Sequence, residues 1–440
     1  MSATLATLDE ELNRARAALA QQNGDVAEQS YRRALALAPQ NAEALNFLGT
    51  RATRDGRTTE AIELLERAHA ADPRDPNIAF NRGLAYLATE NFEAGRAAFA
   101  HALDIAPQFF LARLYLARAL ELLGRGDEAV THYFAAILRA QTQGRWLDDA
   151  TTAPMLREIV KYGMGFAQQR RKGLFEGVLD RLRERHGADA LQRAYKSLRM
   201  FLGEIPTAYT DARQKPKFLY YPDLPTTPYF ARELFPWYSV LEDNFETIRA
   251  ELFDVLRAEN GIEPFLKFHS PEEIAGYLGG EGKPSWNAFF FHRHGKRYEE
   301  NCARCPNTAA ILDTLPTLQR IRDHAPEVCF SVLTPGSHIL PHRGVTNTRL
   351  VTHFPLIVPQ GDLGLRVGGE THVWQENRCI TFDDTFEHEA WNRTEHTRVV
   401  MLLDVWNPHL SDPEREAVTA LVETIGDFNR AAEIDETHNH

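Results

Sequence analysis

Residues 382–391 read Phe382-Asp-Asp-Thr-Phe-Glu-His-Glu-Ala-Trp391, and ten residues beyond His388 begins Arg398-Val-Val-Met-Leu-Leu-Asp-Val-Trp406. The second stretch reads as a strand. The first reads as the end of a strand, a turn, and a histidine just past it. Working outward, Ala288–Phe291, Val328–Leu333, Thr348–Val358, Leu363–Val367, Cys379–Phe382 and Val399–Val405 are further short β-like runs separated by turns. Several short strands without intervening helices predict an antiparallel barrel or jelly roll, of which the cupin-like double-stranded β-helix is one form. A helical stretch from Trp237 to about Asn260 precedes these strands. Ser411-Asp412-Pro413-Glu414 opens a closing helix with capping-box order and proline in the first turn.

Histidine is concentrated in this half: His338, His342, His353, His372, His388, His396 and His409. A metal site in a jelly roll draws ligands from strands far apart in sequence, and two pairs fit, His342 with His388 or His353 with His388. Context favours the first pair. His342 sits in Leu340-Pro-His-Arg-Gly344, entering a strand, and His388 is followed by Arg398 on the next strand. A planar guanidinium fixed beside a metal site suits bidentate capture of a carboxylate.

The first part of the chain repeats. Pro39, Pro73 and Pro107 stand 34 residues apart, as do Ala34, Ala68 and Ala102. Tyr31, Leu65, Phe99 and Tyr133 keep the same step, and so do Ala27, Ala61, Gly95 and Ala129. Gly49 and Gly83, then Ala117, mark close helix contacts in the other half of each repeat. A small residue lets two helices approach, a large one fills the groove beside it, and proline ends the second helix. This pattern resembles the tetratricopeptide repeat over residues 8–141, an α-solenoid whose concave face would take a protein partner or else only pack as a scaffold. Residues 142–205 lose the period but keep helical spacing at Leu156, Ile159, Val160, Phe175, Val178, Leu179 and Leu182, which predicts a helical cap. Residues 206–228 are rich in Pro, Tyr, Thr and Asp and read as a linker and domain entry. The strand-rich domain then spans 229–431, with a tail at 432–440.

The net charge of −12 over 440 residues argues against nucleic acid or an anionic membrane as partner. No run is apolar enough for a membrane span, no signal peptide is evident, and a cytoplasmic setting is expected. Four cysteines do not make a disulfide scaffold; Cys302 and Cys305 form a lone Cys-x-x-Cys, open to zinc or redox use but expected to be ordinary thiols.

Residues 216–410 resemble the aspartyl/asparaginyl β-hydroxylases. The resemblance is carried by Tyr221-Pro-Asp-Leu-Pro225, Glu299-Glu-Asn-Cys-Ala-Arg-Cys-Pro306, Thr334-Pro-Gly-Ser-His338, Pro341-His-Arg-Gly-Val-Thr-Asn347, the stretch from Phe382 to Trp391, and Asp404-Val-Trp-Asn-Pro408. It implies an Fe(II)- and 2-oxoglutarate-dependent dioxygenase that hydroxylates an unactivated C–H, releasing succinate and CO2. The target would be the β-carbon of an Asp- or Asn-like residue in a peptide or protein, or an amino-acid-like small molecule. His342 and His388 would hold iron, and Gly344 would stand where a facial triad has its acid. Ser331, His353 and Arg398 would hold 2-oxoglutarate, with Arg349 at the edge of that pocket. Asp384 would orient iron-bound water. Members acting on acidic substrates carry an arginine two residues after the Arg349 position, and this chain has Val351 there. Two rival readings are a tetratricopeptide adaptor with a catalytically silent barrel, and a metal-dependent cupin isomerase or hydrolase that uses no 2-oxoglutarate.

Overall fold

The computed structural model describes residues 7–258, 260–266 and 270–434. The first six residues and most of the expected tail, 435–440, lie outside them. Contacts divide the chain into two compact units. One runs through Gly173 and takes in Phe428–Ile434, and the other runs from Leu174 to Asp427.

The first unit contains four helix pairs: α1 (Leu8–Ala20) with α2 (Gly24–Leu37), α3 (Ala42–Arg54) with α4 (Thr58–Ala71), α5 (Pro76–Ala88) with α6 (Phe92–Ile105), and α7 (Phe110–Leu122) with α8 (Gly126–Thr142). The period of 34 seen in the residues recurs in the helix starts. Its physical basis is visible at Gly49 and Gly83. A Cβ at Gly49 would lie 2.6 Å from Leu65, and one at Gly83 2.5 Å from Phe99, so each large side chain fills the space that a glycine leaves. Ala38, Asp72 and Ala106 end the second helix of their pairs in extended or near-extended backbone, because the proline after each disfavours helical backbone before it. The fourth pair is followed by α9 (Arg157–His186), within which the division between the units falls. Within this helix Arg171 packs its guanidinium 4.6 Å from the Phe134 ring centroid.

The second unit holds all the described strands: β1 (Glu263–Pro264), β2 (Leu278–Gly280), β3 (Trp286–Arg293), β4 (Lys296–Arg297), β5 (Val328–Leu333), β6 (Ser337–His342), β7 (Arg349–Ile357), β8 (Leu363–Val367), β9 (Glu370–His372), β10 (Ile380–Phe382), β11 (His388–Asn392) and β12 (Arg398–Trp406). They form two antiparallel sheets, one ordered β1-β3-β5-β12-β7-β10 with β4 on β3, the other β2-β6-β11-β8-β9. This is the expected jelly-roll arrangement behind a helical repeat array.

Strand alternation decides which side chains face which layer. Phe289, Phe291, Phe330, Phe354, Val399, Met401 and Leu403 share a core with Tyr238, Leu241, Phe245, Ile248 and Leu252 from the helices Tyr238–Glu242 and Phe245–Ala258. Their neighbours Ala288, Phe290, Cys329, Leu333, Val351, Val400 and Leu402 form a second core with Leu363, Leu365, Val367 and Ala390 of the smaller sheet. Burial on both faces explains why the nine residues of β12 are all buried. Ser331, His353 and Arg398 have the same parity as the second set, so they face the space between the sheets.

The closing helix runs Asp412–Ala431, and its expected cap forms in part. The Glu414 carboxylate accepts from the Ser411 backbone N–H at 2.9 Å, and the Ser411 hydroxyl also donates to that carboxylate. The reciprocal bond from the Glu414 N–H to the serine oxygen is replaced.

Candidate functional site

His342 is the last residue of β6 and His388 the first of β11, directly opposite each other across that strand pair. Both strands escaped the sequence pattern: His342 leaves a strand instead of entering one, and His388 opens one. Their ring centroids are 4.1 Å apart. Nδ1 of His342 lies 2.8 Å from the Leu340 carbonyl, and Nδ1 of His388 lies 3.1 Å from the Phe386 carbonyl. A carbonyl can only accept, so each Nδ1 carries the proton and each Nε2 keeps a bare lone pair. Burial pushes both imidazoles down, His342 to about 3 with the help of the neighbouring His388, and His388 to about 4. Neutral rings with committed Nδ1 protons are the form in which histidine ligates a metal. A hollow of about 240 Å³, lined by Pro341, Arg366, Gly369, Glu387 and Glu389, opens on His388. No third His, Cys, Asp or Glu completes a ligand cluster among the described residues.

The space beside Gly344 is already filled. A Cβ there would fall on the carboxylate of Asp384. Its N–H donates to the Asp384 carbonyl at 2.7 Å, which draws the two loops together. Asp384 is buried and ion-paired with Arg349, whose other Nη is 3.4 Å from Asp404, while Asp384 Oδ1 has no partner. That orphaned buried oxygen beside the histidine pair suits a hydrogen bond to a metal-bound ligand.

The segment expected to be a linker is strapped onto these loops. Lys215 N donates to Thr385 O at 3.0 Å, Lys217 N to Gly344 O at 3.1 Å, and Phe218 N to Val345 O at 2.9 Å. Gln214, buried, donates its side-chain amide to Asp383 at 2.5 Å. Asn347 exchanges two hydrogen bonds with the Tyr221 backbone. Neither Gln214 nor Asp383 stood out in the sequence, because a lone glutamine in a Pro- and Lys-rich stretch carries no periodic signal.

Arg398, Ser331 and His353 converge between the sheets. Arg398 opens β12, is 1% exposed, and donates from one Nη to the Ser331 carbonyl at 3.3 Å. Its Nε has no partner, and among the described residues no carboxylate pairs with it. A buried guanidinium without an internal anion calls for an anionic ligand. The Ser331 hydroxyl accepts from the Trp286 indole at 3.0 Å, and Nδ1 of His353 accepts from the Trp374 indole at 3.2 Å. Burial, with Arg398 nearby, holds His353 well below the ordinary histidine range. Trp286 and Trp374 are partners that sequence spacing could not reveal.

Three of the other histidines have partners of their own. His338 is 2.6 Å from Glu389, His372 packs near Tyr229, and His409 near Phe230. All four cysteines are free and buried, and burial pushes the Cys305 thiol up to about 12.

Comparison with known proteins gives the following matches. The family model described as aspartyl/asparaginyl beta-hydroxylase matches residues 242–408, and tetratricopeptide-repeat models match 12–76 and 52–108. The chain is 33% identical over 259 residues to the human aspartate beta-hydroxylase domain-containing protein 2, covering 56% of this chain and 66% of that one. It is 34% identical over 206 residues to the ornithine lipid ester-linked acyl 2-hydroxylase of Rhizobium tropici, covering 46% and 69%. It is 33% identical over 181 residues to human aspartyl/asparaginyl beta-hydroxylase, covering 41% and 22%. The match thus spans just under two thirds of the first of these relatives.

Proposed function

The chain belongs to the aspartyl/asparaginyl β-hydroxylase family, and on that premise we propose that it is an Fe(II)- and 2-oxoglutarate-dependent hydroxylase of an unactivated C–H. The observation that carries the reading is the pair of opposed imidazoles, His342 and His388, each with its Nδ1 proton committed to a backbone carbonyl. When bound, iron with 2-oxoglutarate and dioxygen would supply the oxidation, coupled to release of succinate and CO2.

The protein's own groups then have assigned work. His342 and His388 present Nε2 to the metal. Arg398 pairs with the far carboxylate of 2-oxoglutarate in a pocket that excludes water, where a charge-assisted bond is strong. Ser331 and His353 add hydrogen bonds to the cosubstrate, and Arg349 stands at the edge of that pocket. Asp384, held by Arg349, keeps one carboxylate oxygen for a metal-bound water and provides negative charge that a third ligand would otherwise bring. The rival readings leave residues without a role: a silent adaptor has no use for the histidine pair, and a cupin isomerase or hydrolase has none for unpaired Arg398.

A peptide or protein side chain, or an amino-acid-like small molecule, is the proposed substrate. One observation favours a second class: Val351 lies in the apolar cluster between the sheets and brings no positive charge to an acidic target, whereas an uncharged target such as an acyl chain needs none. The helical repeats would supply a protein-binding surface. None of the described helices is long and apolar enough to cross a membrane. The proposed setting is cytoplasmic, without a nucleic-acid partner.

The test is anaerobic titration with Fe(II) and 2-oxoglutarate, following the visible metal-to-ligand charge-transfer band. The band is expected in the wild type and absent in His342→Ala. An undiminished band in that variant would refute the assignment. Succinate release with peptide and acyl substrates then separates the two substrate classes.

A further inference from the structure

One side chain touches two of the proposed cosubstrate residues at once. Trp374 lies between β9 and β10 and is 3% exposed. Its indole Nε1 donates to Nδ1 of His353 at 3.2 Å, and the Arg398 guanidinium carbon stands 4.8 Å from its ring centroid. We propose that Trp374 is the positioning residue of the anion pocket. It fixes the His353 proton on Nε2, and it stabilises the Arg398 charge without consuming that residue's N–H donors. The proposal rests on the 2-oxoglutarate reading above.

An indole nitrogen can only donate. Nδ1 of His353 is therefore bare, and a neutral ring must carry its proton on Nε2. This is the opposite tautomer from His342 and His388, whose Nδ1 atoms face carbonyls. The assignment separates the three histidines by chemistry. Two offer lone pairs to a metal, while His353 offers an N–H to an anion. It also gives a chemical reason against the pairing of His353 with His388 that sequence context had already disfavoured.

The other face of the indole solves a different problem. A buried guanidinium needs compensation, and an aspartate or glutamate would provide it while taking the forked donors that an incoming carboxylate must use. A π face attracts the cation through its quadrupole and leaves the donors in the guanidinium plane unspent. The Arg398 donors agree with this: one Nη bonds the Ser331 carbonyl, and Nε is unpartnered. Phe382 also packs against His353, with 5.0 Å between ring centroids.

Trp374→Phe keeps an aromatic face and removes the N–H; Trp374→Leu removes both. The expected result is a 2-oxoglutarate Kd about tenfold weaker in Trp374→Phe, and weaker again in Trp374→Leu, measured anaerobically with Fe(II). The Fe(II) Kd without 2-oxoglutarate should stay within about twofold, which general loosening of the fold would not give. In the 15N spectrum of the histidine-labelled metal-free chain, His353 should be protonated on Nε2 and should lose that single tautomer in Trp374→Phe. An unchanged 2-oxoglutarate Kd in Trp374→Phe overturns the proposal. So does a wild-type His353 protonated on Nδ1, an outcome that needs no folded variant. A wild type that binds Fe(II) but no 2-oxoglutarate would overturn the underlying reading, and the role of Trp374 with it.

Discussion

A side chain at Gly344 has nowhere to go, because the Asp384 carboxylate already occupies the space where its Cβ would lie. Placing an acid there to complete a facial triad should therefore fail. Gly344→Asp would crowd two carboxylates together beside the metal site and push Asp384 off Arg349. The expected outcome is Fe(II) affinity lower by roughly tenfold or more and loss of turnover, checked by anaerobic Fe(II) titration. Tighter iron binding in that variant would contradict the account. At this scale the sequence was informative for the candidate site residues. His342, His388, Arg398, Ser331 and His353 all lie in the same part of the fold, while the indoles that orient two of them were illegible, since a tryptophan's partner depends on register and loop path.

Among the elements, two strands were legible because most of their residues are apolar: Val328–Leu333 and Leu363–Val367 agree to the residue with β5 and β8. The two histidine-bearing strands were not. Ser337–His342 contains Pro341 and two histidines, and His388–Asn392 is short and polar, so neither shows the alternation that marks a half-buried strand. The attachment of the segment from Gln214 to Tyr221 was illegible for a related reason. It is held by backbone hydrogen bonds to loops more than a hundred residues away, and these leave no local pattern. Its anchor is testable. Gln214→Leu would strip Asp383 of its amide donor and leave the turn that presents Asp384 and His388 less fixed. Fe(II) affinity should fall about three- to tenfold, with unfolding changed by no more than about 1–2 kcal/mol. Isothermal titration with Fe(II) and chemical denaturation together check it, and wild-type iron affinity would count against the strap.

For the whole molecule, each unit has hydrophobic clusters of its own, so calorimetry should resolve two unfolding transitions. Only the one belonging to the repeats should respond to His132. Burial, then the Arg113 charge, pushes His132 down to about 4 in the folded state, against about 6.5 unfolded. Between those values the unfolded chain binds the extra proton. The stabilisation is therefore complete above pH 6.5 and is lost as pH falls toward 4, by about 3 kcal/mol. Acidification from pH 7 to 5 should lower the repeat transition less in His132→Gln than in the wild type. Equal shifts in both proteins would exclude His132 as the titrating group.

The sequence by itself pointed to the architecture: a 34-residue period with recurring small, large and proline positions predicts a stack of like helix pairs, and several short apolar runs without helices between them predict antiparallel sheets. It also determined which residue types carry the chemistry. The tertiary structure decided what those residues are able to do. His342 and His388 differ from His353 in which nitrogen holds the proton, and that depends on whether a carbonyl or an indole faces Nδ1. Arg398 is unpaired because no acid folds against it, and Gly344 is obligatory because Asp384 arrives from a separate loop. Such facts arise where strands distant in the chain meet, and hydrogen-bond partners across that distance have no counterpart in linear order.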